Sequence, residues 1–144
     1  MEELRKRYSS TSKALNNLKK NIGLFVNEDP ISFKYYEQCR SAAIQSFEFS
    51  LDTLWKFIKE YLIYIQRISF DTPTPKSVFR ECWTINIINE SEFNKLSKLI
   101  SDRNLTSHSY NEYTAEEISK KLPEYCKLME DILNRIDTST FNKI

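Results

Sequence analysis

The sequence predicts an all-α fold, an antiparallel up-and-down four-helix bundle with one extra short helix. Three observations predict it. Heptad-like apolar stripes recur along most of the chain, and the breaks between them fall at prolines or at Asn/Thr-x-x-Glu capping signals. Only one glycine, Gly23, is present, which leaves little material for tight hairpin turns. A chain of 144 residues fits one domain with one core, expected over 1–144 with a frayed tail over 138–144.

The elements follow in order. Leu4, Tyr8, Thr11, Leu15, Leu18, Ile22 and Phe25 alternate steps of four and three, which predicts a helix over 2–26. Asn27-Glu28-Asp29-Pro30 breaks it, with Asp29 as N-cap of the next helix and Pro30 at its first position. That second helix is expected over 31–66, on the stripe Ala43, Phe47, Leu51, Leu54, Ile58, Leu62 and Ile65. Phe49, Trp55, Phe57 and Tyr61 widen its apolar surface, so it should meet more than one neighbour, a dimer mate or another protein included. Phe70 to Pro75 carries two prolines and reads as a loop, and Pro75 suits the start of a short helix over 75–86. Asn89-x-x-Glu92 resembles a capping box opening a helix over 90–110. Thr114-x-x-Glu117 resembles another, opening a helix over 115–137 on the stripe Ile118, Leu122, Tyr125, Met129, Ile132 and Ile136. Pro123 either kinks that helix or marks its true first turn.

Composition excludes several functions. Phosphate-cradling loops, dinucleotide fingerprints and nucleophile elbows need several glycines, because backbone must turn tightly or approach a ligand closely. Lys plus Arg total 21 against 20 for Asp plus Glu, so no overall field draws the chain to nucleic acid or an anionic membrane. Cys39, Cys82 and Cys126 are odd in number and far apart, which argues against a metal site or disulfide framework and for a reducing, cytoplasmic setting. They read most simply as small buried apolar groups. No signal-peptide run or membrane span is visible.

One segment carries chemistry: Arg103-Asn104-Leu105-Thr106-Ser107-His108-Ser109-Tyr110. At about 100° per residue, Phe93, Leu96, Leu99 and Ile100 mark the inward stripe, and Arg103, Asn104, Ser107, His108 and Tyr110 continue it on roughly the same side. Burying Arg with His costs several kcal/mol unless they are paired or hydrated. Spacing leaves two readings, a polar cleft at the bundle end or between subunits, and a helix end that emerges into solvent. Glu48, among Ile44, Leu51 and Trp55, is placed to salt-bridge Arg103 or hydrogen-bond His108, with a solvated carboxylate or plain structural ion pair as the alternative. Trp55 and Phe47 read as core before ligand platforms. Lys19, Lys20, Lys95, Lys98, Lys120 and Lys121 either flank an RNA path or form a solvated face.

The run Asp102-Arg103-Asn104-Leu105-Thr106-Ser107-His108, with Tyr110 two residues on, resembles the signature of HEPN domains. More narrowly it resembles the HepT-like, or nucleotidyltransferase substrate-binding, proteins. Ile44 to Phe49 with Leu54-Trp55-Lys56 resembles that family's second helix, and Pro75 to Glu81 its short helix. The resemblance covers roughly residues 4–137. It implies a dimerising bundle paired with a separately encoded minimal nucleotidyltransferase. It further implies a metal-independent endoribonuclease toxin with no cofactor. His108 would serve as general base or acid on the RNA 2′-hydroxyl, a task suited to an imidazole that titrates near neutrality. Arg103 would stabilise the scissile phosphate, and Asn104 would orient the phosphate or His108, with Glu48 and Ser107 supporting. Tyr110 would accept AMP from the transferase, which blocks the cleft. The alternative is a non-catalytic subunit that binds a nucleotide or substrate for the transferase.

Overall fold

A computed structural model describes residues 1–27, 33–108, 111–139 and 141, with backbone alone at 26, 27, 33, 34, 107 and 108. The described chain forms α1 (Glu2–Asn27), α2 (Phe33–Tyr64), α3 (Pro75–Thr84), α4 (Glu90–His108) and α5 (Glu112–Arg135). None of these helices is long and apolar enough to cross a membrane. The Asp29–Pro30 break lies outside the described residues.

Cross-helix contacts give the directions. Thr11 and Ala14 meet Thr53 and Ser50, so α1 and α2 are antiparallel. Glu48 meets Thr106 while Asp52 meets Arg103, so α2 and α4 are antiparallel too. Glu92 pairs with Arg135 and Asp102 with Lys121, which sets α4 against α5. Tyr36 meets Glu116 and Phe47 meets Tyr125, so α2 and α5 run parallel, as diagonal partners in an up-and-down bundle do. The short α3 packs on α2 and α4.

The predicted stripes form the core. Leu4, Leu15, Leu18 and Ile22 of α1, the α2 stripe from Ala43 to Leu62, and the whole α5 stripe are buried. Small residues set the α1–α2 spacing: buried Thr11 and Ser50 hydrogen-bond backbone carbonyls of the facing helix, and Asn21 donates to Ser46. Of the residues widening α2, Phe57 and Tyr61 are buried, Trp55 is half-buried, and Phe49 is 62% exposed.

Helix ends differ from expectation where a local hydrogen bond outcompetes the one predicted. The Asn89–Glu92 capping box forms reciprocally, at 2.8 and 3.0 Å. A second box, Thr74 with Ser77, opens α3 with Pro75 at its first position. Helix α3 stops at Thr84 because Asn86 adopts φ 65°, and the N–H groups of Asn86 and Ile87 then bond to Trp83 and Cys82. This Schellman-type ending uses Asn where Gly is usual. Arg67, at φ 59°, follows the end of α2 at Tyr64, two residues short of expectation. Helix α5 starts three residues before the expected position, because Asn111 accepts from the Thr114 N–H and caps it there. Pro123 therefore lies mid-helix, exposed, and marks no first turn.

Of the expected frayed tail, residues 140 and 142–144 lie outside the described residues. Phe141 is 1% exposed, with ring centroids of Tyr8, Phe57 and Tyr61 at 6.0–6.3 Å. Arg5 Nε donates to its carbonyl at 3.0 Å. Phe141 thus packs across the α1–α2 pair, a role that no periodicity announces. Phe141→Ala should cost about 3 kcal/mol in urea unfolding, as truncation of a buried Phe does. A loss within about 0.5 kcal/mol, the range of surface changes, would show that the tail adds nothing.

Candidate functional site

The apolar packing of α4 ends before the helix does. Phe93, Leu96 and Leu99 are buried and Ile100 is half-buried, but the next inward positions are Asp102 and Thr106. Asp102 faces α5, where its Oδ2 accepts from the Tyr125 hydroxyl and from Lys121 Nζ at 3.2 Å. Arg103 faces α2 instead. Its Nη1 donates to Glu48 Oε2 at 3.0 Å and its Nη2 to Asp52 Oδ2 at 3.2 Å. The Thr106 hydroxyl lies 3.0 Å from Glu48 Oε2 and 2.6 Å from the Arg103 carbonyl, with one proton to share between them. Adjacent residues of opposite charge thus grip opposite neighbours.

This shifts the inward direction from the one the angular count predicts. Helix α4 sits between α2 and α5, so its buried sector centres near Leu99 and Thr106. Arg103 lies on the flank with 22% of its side chain exposed, and Asn104 is exposed rather than inward. Glu48 takes the Arg103 partnership expected of it. Ser107 and His108 are described as α4 backbone only, and Tyr110 lies outside the described residues. Asp52, Asp102, Thr106, Lys121 and Tyr125 are the members that sequence reasoning missed. Asp52 had a signal, since it stands one turn after Glu48 on the same face.

Arg103 and Asn104 also line a shallow groove of about 350 Å³ with Leu51, Asp52, Trp55, Lys56, Pro75 and Ile100. Among the described residues, no group of three metal-ligating side chains converges. Cys82 and Cys126 are buried, and burial pushes both thiols up to about 12, which makes them poor nucleophiles. Several lysines of the notional RNA path are paired: Lys121 with Asp102, Lys120 with Glu117, Lys95 with Glu124 and Lys19 with Glu130.

A second polar cluster fixes where the chain resumes after α4. Arg40, 5% exposed, donates to Glu116 Oε2 at 3.0 Å, and the Tyr36 hydroxyl meets both Glu116 oxygens at 2.5 and 2.6 Å. This ties the first turns of α5 to α2. The Tyr36 hydrogen bond, then Arg40, holds the Glu116 carboxyl below its usual range. Burial first, then Glu116, pushes the Tyr36 phenol up to about 12.

This arrangement of five helices is the all-α fold of HEPN-type bundles. A HEPN toxin of Shewanella oneidensis, tri-AMPylated and in complex with MNT antitoxin, superposes with a TM-score of 0.71 at 13% identity, covering 92% of this chain and 94% of its own. A toxin–antitoxin structure with AMP-PNP gives the same TM-score and identity, with coverages of 93% and 97%. At that identity the likeness is one of fold alone. A crystal structure from Thermus thermophilus is nearer in sequence, at 32% identity and TM-score 0.73, covering 87% of this chain and 97% of its own. The chain belongs to the family of nucleotidyltransferase substrate binding protein-like chains, whose model matches residues 6–138. No curated protein matches it.

The Tyr36–Glu116–Arg40 cluster should add stability at intermediate pH and lose it on both the acid and the alkaline flank. A depressed Glu116 pKa stabilises the fold above the ordinary value of 4.5, and that stabilisation is lost as pH falls through the folded value. A raised Tyr36 pKa stabilises below 10.0 and is lost as pH rises towards about 12. Urea unfolding of Glu116→Gln should therefore show a flatter stability curve than wild type on both flanks. Equal slopes would mean that the Glu116 carboxylate contributes nothing to the pH dependence of folding.

Proposed function

We propose that this chain is the HepT-like HEPN component of a two-gene nucleotidyltransferase/HEPN toxin–antitoxin module. It acts in the cytoplasm as a metal-independent endoribonuclease that a partner nucleotidyltransferase neutralises. One observation carries this reading. A family match over 6–138 coincides with the run Arg103-Asn104 to His108 on the last turns of α4, whose arginine is pinned near the surface by Glu48 and Asp52.

The chemistry needs few groups. His108 takes the proton of an RNA 2′-hydroxyl, O2′ forms a bond to phosphorus, and the bond from phosphorus to O5′ breaks. The departing oxygen takes a proton, leaving a 2′,3′-cyclic phosphate and a 5′-hydroxyl. Arg103 offsets the charge gathering on the phosphate, and its planar fork, already oriented by two carboxylates, needs little reorganisation to do so. Asn104, exposed beside it, offers an amide to a phosphate oxygen. Glu48 and Ser107 support these groups. A homodimer supplies a second histidine, so that one acts as base and one as acid. Phe49, exposed one residue from Glu48, gives that dimer an apolar face beside the site. The transferase moves AMP from ATP to the Tyr110 hydroxyl with loss of pyrophosphate, placing a bulky anion next to Arg103. The tri-AMPylated state of the Shewanella HEPN toxin supports this step by analogy.

The family's description favours a second reading, a subunit that binds substrate for the transferase and does no chemistry. Expression without the transferase separates the two. Wild type should arrest growth and cleave RNA, and His108→Ala or Arg103→Ala should reduce cleavage about a hundredfold or more. Tyr110→Phe should stay toxic when the transferase is present, and should gain no AMP by mass spectrometry. Cleavage undiminished in both alanine variants would remove the mechanism. A wild-type chain that cleaves nothing yet co-purifies with the transferase would establish the binding subunit.

A further inference from the structure

The groove beside Arg103 has a composition that a phosphate site alone does not require. Trp55 lines one wall, with Pro75 and Ile100 near it, and supplies a flat aromatic surface that is only half-buried. Lys56 is exposed at the rim, and Lys59 Nζ lies over the indole ring, 5.7 Å from its centroid, while it pairs with Glu60. Asp52, with 44% of its side chain exposed, brings a carboxylate to the same wall while it pairs with Arg103. The groove runs directly onto Arg103 and Asn104.

An indole face, a cation on the rim, a hydrogen-bond acceptor and an arginine at one end match the parts of a nucleotide. Bases of any sequence stack on aromatic side chains, and lysines track the phosphates between them. An acceptor carboxylate recognises a ribose hydroxyl or an exocyclic amine, which a bare anion lacks. We infer that the Trp55–Lys56 groove is a nucleotide subsite, holding the base next to the phosphate on Arg103. Trp55 stacks that base, Lys56 meets the following phosphate, and Asp52 accepts from its sugar or base. The inference rests on the reading of Arg103, Asn104 and His108 as a phosphate site, and it adds a second anchor that keeps a single strand in register there. A single strand should bind in preference to a duplex, whose bases are already stacked on one another.

Trp55 itself reports the test. The only other tryptophan, Trp83, lines a different depression near Asn86 and Arg135, so Trp83→Phe leaves Trp55 as the sole indole. In that background a short single-stranded oligoribonucleotide should quench the fluorescence saturably. Lys56→Ala should weaken binding severalfold, and in the wild-type background Trp55→Ala should weaken it about tenfold by a polarisation assay. Trp55→Phe should recover most of the affinity. AMP titrated in the same way separates a mononucleotide from a strand: quenching by the oligomer at far lower concentration assigns a strand site, and equal quenching assigns a mononucleotide site. Both outcomes keep the nucleotide subsite. Saturable quenching without any RNA cleavage would sink the proposed ribonuclease while leaving the subsite standing. Cleavage that depends on His108, with no quenching and no loss in Trp55→Ala, would overturn the subsite and leave the ribonuclease intact.

Discussion

The candidate site depends on a polar pin at the end of α4. Leu99 is the last fully buried apolar residue of that helix, and two more turns extend past it. Those turns are held by Asp102 to α5 and by Arg103 and Thr106 to α2. Burial of charge is costly unless each ion is paired and hydrogen-bonded, and here each is. The consequence is positional. Arg103 cannot drift towards solvent as an ordinary surface arginine does, and Asn104 is presented outward beside it. Catalytic or binding groups gain most from a scaffold whose supporting contacts lock their rotamers.

The rest of the bundle serves that pin. Phe47, stacked on Tyr125 at 5.7 Å, backs the phenol that holds Asp102, so the apolar core reaches the polar network through one ring. The Tyr36–Glu116–Arg40 cluster anchors α5 to α2, and α5 in turn carries Lys121 and Tyr125. The α3 cap at Thr74 places Pro75 at the wall of the groove opposite Arg103. Helix α2, the longest element, has polar partners on α1, α4 and α5.

Much of this was legible in the residues. Apolar period and the placing of the prolines gave the five helices, because the stripes were long and the breaks between them clear. The Arg103-to-His108 run stood out as a polar continuation of one stripe, and Glu48 among Ile44, Leu51 and Trp55 was open to an ion pair with Arg103, a bond to His108 or a solvated position. Other features were not legible. The helix phase near Asp102 depends on α4 packing against α2, α3 and α5, which a single angular stripe does not encode. Asn86 and Arg67 end helices in the left-handed region without glycine, so turn chemistry gave no warning. Phe141 lies beyond the last stripe, and its burial depends on the tail folding back over Tyr8 and Tyr61. The missed helix ends are local backbone and capping effects, whereas the phase of α4 and the burial of Phe141 are tertiary contacts overriding a local signal.

Polar contacts to α2 and α5, rather than apolar packing, hold the last turns of α4 in place. Hydrogen exchange tests it most directly, comparing wild type with the Glu48→Gln, Asp52→Asn double variant. The account predicts that amides from Asp102 to His108 exchange much faster in the variant, while those from Leu96 to Leu99 keep their protection. Unchanged protection from Asp102 to His108 would contradict it.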